Sequence, residues 1–308
     1  MQFIASVFLY IKMKWLFLKM QKIIYKLSPT DIIVLSYIVI TSLICLIGFR
    51  NLNYLTLCIS VRILTVFIIA GLIKLNSNHK VLHFIRNFYP LILLGYYYNE
   101  TAILNHLFFN NIDPVLYHLE NFIFGFQPAE AFSKVFYYKW FSELMHFTYF
   151  SYYTFTFLLL VLIFIKKKQL FQKYLFIIVG AFFIYYLIFA LVPSVGPQFY
   201  FPAAQQDVPK GYLFEGLMEI ITRYAESETG AFPSSHIGMM CIFMFIAFKE
   251  IKPLLAILIP FFILMLFATV YLKAHYVIDL IGGIASAPLI YFIVSSLWDK
   301  FFNNSDNF

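Results

Sequence analysis

Two short polar segments in the C-terminal third of the chain each place a histidine at the edge of a long apolar stretch. The first is Phe232-Pro233-Ser234-Ser235-His236, and the second runs from Lys273 to Asp279 and contains His275. Ionisable side chains near a membrane are costly, so such residues are candidates for function. One histidine can attack phosphorus while another protonates the leaving oxygen. The pair therefore predicts a site for phosphoryl transfer.

His275 is followed by Asp279 at a spacing of four residues. A helix that begins here would place both side chains on one face. Asp279 could then accept a hydrogen bond from one imidazole nitrogen, which would fix the tautomer and leave the other nitrogen free as a nucleophile. A buried His–Asp pair that only joins two helices would show the same spacing, so this motif alone leaves both interpretations open.

His236 favours the catalytic interpretation. Pro233 suits the start of a helix, while Ser234 and Ser235 supply hydroxyl and backbone N–H groups. A helix N-terminus is a ready anion site, and His236 in its first turn could act as a general acid. A second histidine about 40 residues further on, at the same membrane face, makes a site the better interpretation.

The composition predicts that a membrane surrounds these residues. The chain has 308 residues, of which 62% are hydrophobic and 12% are charged, whereas soluble domains have about 25% charged residues. A membrane-spanning helix needs roughly 20 mostly apolar residues. The predicted spans are 31–49, 54–75, 84–108, 141–165, 171–192, 235–250, 253–272 and 275–298. The expected fold is an all-α, polytopic membrane helix bundle.

The distribution of basic residues predicts the orientation. Of the 22 Lys and Arg residues, most fall in the N-terminal segment and in alternate loops, and Arg62 falls within a span. Those in the other loops are Arg50, Lys134, Lys139, Lys210, Arg223 and Lys273. By the positive-inside rule, both termini are cytoplasmic and both histidine motifs face outward. A net charge of +7 arranged in this way indicates the lipid bilayer as a partner, not nucleic acid.

The pattern of segments divides the chain into three parts. Residues 1–27 are basic and apolar and predict an interfacial amphipathic helix. Residues 28–82 hold two accessory spans, and residues 83–308 hold a six-span catalytic core. Within the core, residues 109–139 predict a short amphipathic helix on the outer side.

The longest loop, 193–231, predicts a lid or a substrate-entry element. It is net acidic, which disfavours a soluble anionic substrate and suits a lipid that arrives sideways from the bilayer. Glu100 and Glu143 lie toward the outer leaflet, where they could line the acceptor side of the site or take part in solvation and helix pairing.

The two histidine motifs resemble those of the type-2 phosphatidic acid phosphatase superfamily of integral membrane enzymes. Thr269 to Asp279 is most similar to its branch that includes inositol phosphorylceramide synthases, and Pro193, Gly196 and Pro197 lie where the superfamily has its first motif. The resemblance implies a double displacement without a metal or other cofactor. It implies His236 as general acid, His275 as the nucleophile that becomes a phosphohistidine, and Asp279 as the residue that orients it.

Three cations of the superfamily pattern are missing. Leu191 and Gln198 stand at the lysine and arginine positions of the first motif, and Thr269 stands at the arginine position of the third. A phosphoryl transition state needs cationic or N–H partners for its oxygens. The predicted substrate-binding residues are therefore Lys273, Arg223, Gln198, Ser234 and Ser235. Fewer cations also suit a phosphodiester, which has less charge than a monoester.

The predicted function is hydrolysis of a lipid phosphate at the outer membrane face. The first alternative is a headgroup phosphotransferase of the inositol phosphorylceramide synthase type, in which a lipid or polyol hydroxyl replaces water as the acceptor. The second alternative is a non-enzymatic relative that binds or translocates lipids and has lost its cations. Intact His236, His275 and Asp279 favour the enzyme.

Overall fold

The computed structural model describes residues 26–48, 55–74, 79–201 and 207–302, and all regular structure in these ranges is helical. The predicted interfacial helix at the N-terminus lies almost wholly outside the described residues. The helices are α1 Pro29–Ile47, α2 Leu55–Lys74, α3 Lys80–Leu104, α4 Asp113–Phe124, α5 Pro128–Val135, α6 Lys139–Lys166, α7 Phe171–Leu191, α8 Pro197–Tyr200, α9 Phe214–Ala225, α10 Ser235–Glu250, α11 Lys252–Tyr271 and α12 Val277–Phe302.

The eight predicted spans correspond to eight long helices. Six of these, α1, α2, α6, α7, α11 and α12, are long and apolar enough to cross a membrane. The other two, α3 and α10, do not meet this combination of length and apolar composition, each for its own reason. α10 has only 16 residues, and α3 includes polar side chains such as Arg86, Asn87 and Glu100. The chain is a multi-pass membrane protein with an all-helical bundle, as the sequence predicts.

Two helices form the centre of the bundle. α7 is buried along most of its length, and α10 packs against α6, α7, α11 and α12. α3 lies against α7 on the other side, and α6 packs against α11. Since α10 begins at the first histidine motif and α12 follows the second, their close packing brings the two motifs together.

The two N-terminal helices attach to α3 through buried polar pairs. Arg62 on α2 donates two hydrogen bonds to Glu100 on α3, at 2.7 and 3.2 Å. Asp31 on α1 accepts hydrogen bonds from Arg86 and Tyr89 on α3. Paired charges satisfy one another where water is excluded. Glu100 therefore pairs helices, in agreement with one of the two interpretations of this residue.

The segments 109–139 and 193–231 contain more helix than the sequence predicts. The predicted amphipathic helix of residues 109–139 is present as α4, and α5 follows it. The long loop contains α9, which packs against α6. The Glu143 carboxylate on α6 accepts hydrogen bonds from the backbone N–H groups of Tyr212, Leu213 and Phe214 at 2.7–2.8 Å. Glu143 thus anchors the start of α9.

α10 and α12 approach so closely at Gly283 that we expect no larger side chain to fit there. A Cβ atom at Gly283 would lie about 2.5 Å from the Ser234 carbonyl oxygen, which would push the two helices apart. Overpacking of this kind typically costs about 1–3 kcal/mol. Gly283→Ala should therefore lower the thermal unfolding temperature in detergent and reduce activity. Gly71→Ala on α2, where nothing lies within 4 Å, should change neither, and equal effects of both would contradict this view of the contact.

Candidate active site

The two motif histidines are in direct contact. His236 lies in the first turn of α10, whose N-cap is Ser234 with its hydroxyl accepting from the Ile237 N–H at 3.4 Å. His275 lies in the short turn between α11 and α12. The Nδ1 atom of His236 is 3.1 Å from the Nε2 atom of His275. At this distance one ring nitrogen donates a hydrogen bond to the other.

The surroundings of His275 determine which of its nitrogens is free to react. Its Nδ1 atom is 2.9 Å from the carbonyl oxygen of Ala231. A carbonyl only accepts hydrogen bonds, so Nδ1 bears the proton and Nε2 presents its lone pair. The backbone N–H of His275 also donates to the Thr269 carbonyl at 3.1 Å. The ring is therefore oriented with Nε2 toward His236.

Asp279 has a different local role from the predicted one. α12 begins at Val277, so His275 precedes the helix and does not share a helical face with Asp279. The Asp279 Oδ2 atom accepts the Tyr276 N–H at 2.7 Å and lies 3.5 Å from His275 Nδ1. The predicted direct bond from imidazole to carboxylate is thus replaced by a bond to the Ala231 carbonyl, and the Asp279 carboxyl group lies close behind it.

The proline- and glycine-rich loop before α8 connects the two histidine motifs. The Ser194 hydroxyl accepts the Phe232 N–H at 2.7 Å. Gly196 has a φ of +84°, and a Cβ atom there would lie about 2.7 Å from the Ala274 carbonyl oxygen. Glycine is required at this position for both its backbone conformation and its close approach to the second motif.

Two acidic residues of α4 accept hydrogen bonds from the backbone of the segments that surround the histidines. The Asp113 carboxylate accepts the N–H groups of Val195 and Gly196, each at 2.8 Å. The Glu120 Oε1 atom accepts those of Val277 and Ile278 at 2.6 and 3.3 Å. Both carboxylates are fully buried. Neither residue was predicted from the sequence as a positioning residue, although Asp113 directly precedes Pro114, a residue typical of a helix start.

Glu120 should make stability depend on pH. Burial raises its pKa to about 7 from the ordinary value of 4.5, against the opposing effect of the Ile278 and Val277 N–H groups. The folded chain therefore keeps a proton that the unfolded chain loses, and stability falls as the pH rises from about 4.5 through 7. Thermal unfolding in detergent should show this slope in the unaltered chain, and Glu120→Gln should flatten it. An equal slope in both proteins would contradict the assignment.

Four of the five predicted substrate-binding residues differ in how close they lie to the histidines. Ser234 and Ser235 lie beside His236, as predicted. The Lys273 side chain is fully buried and its Nζ atom is 3.3 Å from Asp207 Oδ2. Arg223 is exposed on α9, 6.0 Å from the Tyr224 ring centroid, and no hydrogen bond or ion pair within the described ranges joins it to either histidine.

Gln198, which stands at a cation position of the superfamily pattern, contacts residues of the site through both its backbone and its side chain. Its backbone N–H donates to the Lys273 carbonyl at 2.7 Å, and its side-chain amide donates to Glu226 Oε2 at 3.4 Å. Glu226 was not predicted from the sequence. It follows α9 directly and brings a carboxylate to a site where the superfamily pattern would place cations.

A cavity of about 300 Å³ opens beside His236. Its lining includes Tyr98, Tyr153, Tyr186, Glu226, Ser235 and His236, together with Leu91, Leu94 and Phe157. The lining includes no Lys or Arg among the described residues. Leu91 is seven residues from Tyr98 on α3, about 10 Å along the helix axis. The cavity therefore runs from the histidines along the helices.

Tyrosine rings support His236 on the side of this cavity. The ring centroids of Tyr149 and Tyr152 lie 4.7 and 4.5 Å from that of His236. Aromatic packing at such distances stabilises a fixed ring position. His236 is thus held between the tyrosines and His275, with its Nδ1 atom directed at the Nε2 atom of His275.

Residues 115–293, more than half of the chain, match the family model of the PAP2 superfamily, and the chain belongs to this superfamily. Members of this superfamily are phosphatases or phosphotransferases, so the chain is a membrane enzyme of this general type. A search of curated proteins and a search of solved structures each gave no match. The matched range begins within α4 and includes most of α12, so it contains both histidines together with Glu120, Glu226 and Asp279, whereas Asp113 lies just before it.

Proposed function

We propose that this enzyme cleaves a lipid phosphoester at the outer membrane face through a phosphohistidine on His275. The 3.1 Å contact between His275 Nε2 and His236 Nδ1 is the observation that supports this most strongly. A phosphorus atom and its leaving oxygen need more room than 3.1 Å, so the two rings must separate when the substrate binds. His236 then faces the leaving oxygen, and His275 faces phosphorus.

The reaction takes two steps, with His236 protonated on both ring nitrogens at the start. In the first, the Nε2 lone pair of His275 attacks phosphorus, the bond to the lipid oxygen breaks, and that oxygen takes the Nδ1 proton of the His236 imidazolium, which is left neutral. In the second, an acceptor hydroxyl gives its proton to His236 and attacks phosphorus, which breaks the phosphorus–nitrogen bond. The Ala231 carbonyl and Asp279 stabilise the positive charge that develops on the His275 ring.

The distribution of Lys and Arg residues supports the outer face, because it orients both histidine motifs away from the cytoplasm. A site on this face would receive its lipid from the outer leaflet. The Glu226 and tyrosine residues at the cavity would meet the headgroup region, while Leu91 and Phe157 would meet the acyl chains.

Water and an alcohol are both possible acceptors, and they give different enzymes. With water the enzyme is a lipid phosphatase, the reaction that the sequence alone favours by resemblance. Transfer to an alcohol is the second candidate, since the cavity beside His236 is mainly apolar and its described lining contains an acid and no basic residue. A singly charged phosphodiester suits such a site better than a dianionic monoester.

Product analysis distinguishes these reactions. Purified protein in lipid micelles would receive labelled phosphatidic acid, polyprenyl diphosphate or phosphatidylinositol, each with and without a lipid alcohol. Free phosphate that disappears in His275→Ala would show a phosphatase. A new phospholipid that forms only with the alcohol would show a transferase. Equal products from His275→Ala and the unaltered chain would contradict the proposal.

A further inference from the structure

α4 holds the backbone that precedes His275. The buried Asp113 carboxylate accepts the Gly196 N–H at 2.8 Å. Gly196 in turn packs so closely on the second motif that a Cβ atom there would lie 2.7 Å from the carbonyl oxygen of Ala274. The position of α4 is therefore transmitted, through a single intervening loop, to the residue directly before His275.

α4 also holds the backbone that follows His275. The first four N–H groups of a helix have no partner within that helix. In α12 the N–H groups of Val277 and Ile278 donate instead to Oε1 of the buried Glu120, at 2.6 and 3.3 Å. These two hydrogen bonds therefore last only as long as α4 stays in place.

The opposite face of α4 is apolar and exposed. Its four most exposed large side chains have 42% to 87% of their surface accessible, and they are Val115, Leu119, Phe122 and Ile123. The helix has two charged residues, Asp113 and Glu120, and both are buried. A contiguous apolar face without charge is costly in water and marks a surface that meets an apolar partner.

The lipid bilayer is the apolar partner that lies next to this face. Phe126, two residues after the end of α4, lines a groove of about 580 Å³ with Phe267 of α11 and Ile281 of α12. α11 and α12 are among the helices that are long and apolar enough to cross a membrane. Phe267 and Ile281 are at least half exposed on these helices. The apolar surface of α4 therefore continues into the lipid-facing surface of the bundle.

We propose that α4 lies in the lipid surface at the end of the bundle where the histidines lie, and that its contact with lipid keeps the backbone around His275 assembled. The inference rests on the proposed function only in placing the reaction at His275. Lipid that covers Phe122 holds the other face of the helix, with Asp113 and Glu120, against the site. A polar side chain at position 122 therefore loosens the site without touching it.

Hydrogen exchange tests this coupling without any turnover. The unaltered chain, Phe122→Asp and Phe122→Leu would each be placed in phosphatidylcholine nanodiscs with one chain per disc, and mass spectrometry would follow the peptides that contain Gly196 and Val277. In Phe122→Asp these N–H groups should exchange about ten-fold faster, since transfer of a phenyl ring from water to an apolar phase is favourable by at least that factor. Phe122→Leu keeps an apolar side chain and should exchange as slowly as the unaltered chain.

The start of α9 serves as an internal reference, because the N–H groups of Tyr212 and Leu213 donate to Glu143 of α6. These groups should exchange at the same rate in all three proteins. Equally faster exchange there in Phe122→Asp would indicate general loosening and overturn the proposal, as would unchanged exchange at Gly196 and Val277.

Two further outcomes are informative. Fast exchange at the site in the unaltered chain would also overturn the proposal, since a face that is covered by a second copy of the chain would be bare in discs that hold one. If Phe122→Asp does not fold, the uncharged Phe122→Ser replaces it, with an expected increase of a few-fold. Exchange does not depend on the chemistry at His275, so failure of the phosphohistidine mechanism would leave the result unaffected.

Discussion

Replacing His275 with alanine is expected to reduce phosphoester cleavage by at least about 10⁴-fold. The substitution removes the atom that forms the covalent intermediate, and the nearby His236 cannot replace it because its Nδ1 proton is the one needed by the leaving oxygen. Turnover of a labelled lipid by purified protein in micelles measures the effect.

His118→Ala provides a matched control. His118 is exposed on α4 and makes its described ring contact with Tyr117. This variant should keep the activity of the unaltered chain. If His275→Ala kept activity within ten-fold, His275 would not be the nucleophile. Intact biological activity without any cleavage by either protein would favour the non-enzymatic, lipid-binding alternative.

Replacing His236 with alanine should have an effect that depends on the leaving group. General acid catalysis is typically worth about 10²–10⁴ in rate, so cleavage of an alkyl phosphoester should fall by this factor. A p-nitrophenyl ester releases a stable phenolate that needs no proton. Release of p-nitrophenol in the first turnover should therefore be nearly as fast in His236→Ala as in the unaltered chain.

A stopped-flow comparison of the two esters measures this dependence. The burst of p-nitrophenol should persist in His236→Ala, and later turnovers should be slow because His236 also accepts the proton of the acceptor hydroxyl. Equal losses for both esters would mean that His236 only supports the position of His275. Such a result would be consistent with the close ring contact but would contradict the acid role.

The sequence predicted the bundle well because hydropathy reports directly on burial in lipid. The spans are long and apolar, and the two histidine motifs mark the starts of α10 and α12 by their polar residues and helix-start signals. The N-cap role of Ser234 follows from local sequence alone. These features are determined by residues that are close together in the chain, so they can be predicted from one sequence.

The remaining features depend on contacts between residues far apart in the chain. Asp113, Glu120 and Glu226 meet the site through the packing of α4 and α9, and no motif relates them to the histidines. The sequence predicted that the last span begins at residue 275, but α12 begins at Val277. His275 stays outside the helix and bonds to Ala231, a residue 44 positions away. The ion pair of Lys273 with Asp207 of the long loop is likewise a contact between distant parts of the chain, and the role of Lys273 at the phosphate stays a prediction.

The central claim is the covalent phosphohistidine, and the most direct measurement is to trap it. His236→Ala should accumulate the intermediate when given a radiolabelled p-nitrophenyl ester of an alkyl phosphate, since the acid is dispensable for the first step and the base is missing in the second. We expect a label on the protein that is stable in alkali, labile in acid and located on the peptide containing His275. Release of p-nitrophenol without any label on the protein, or a label that remains when His275 is also replaced, would contradict the mechanism.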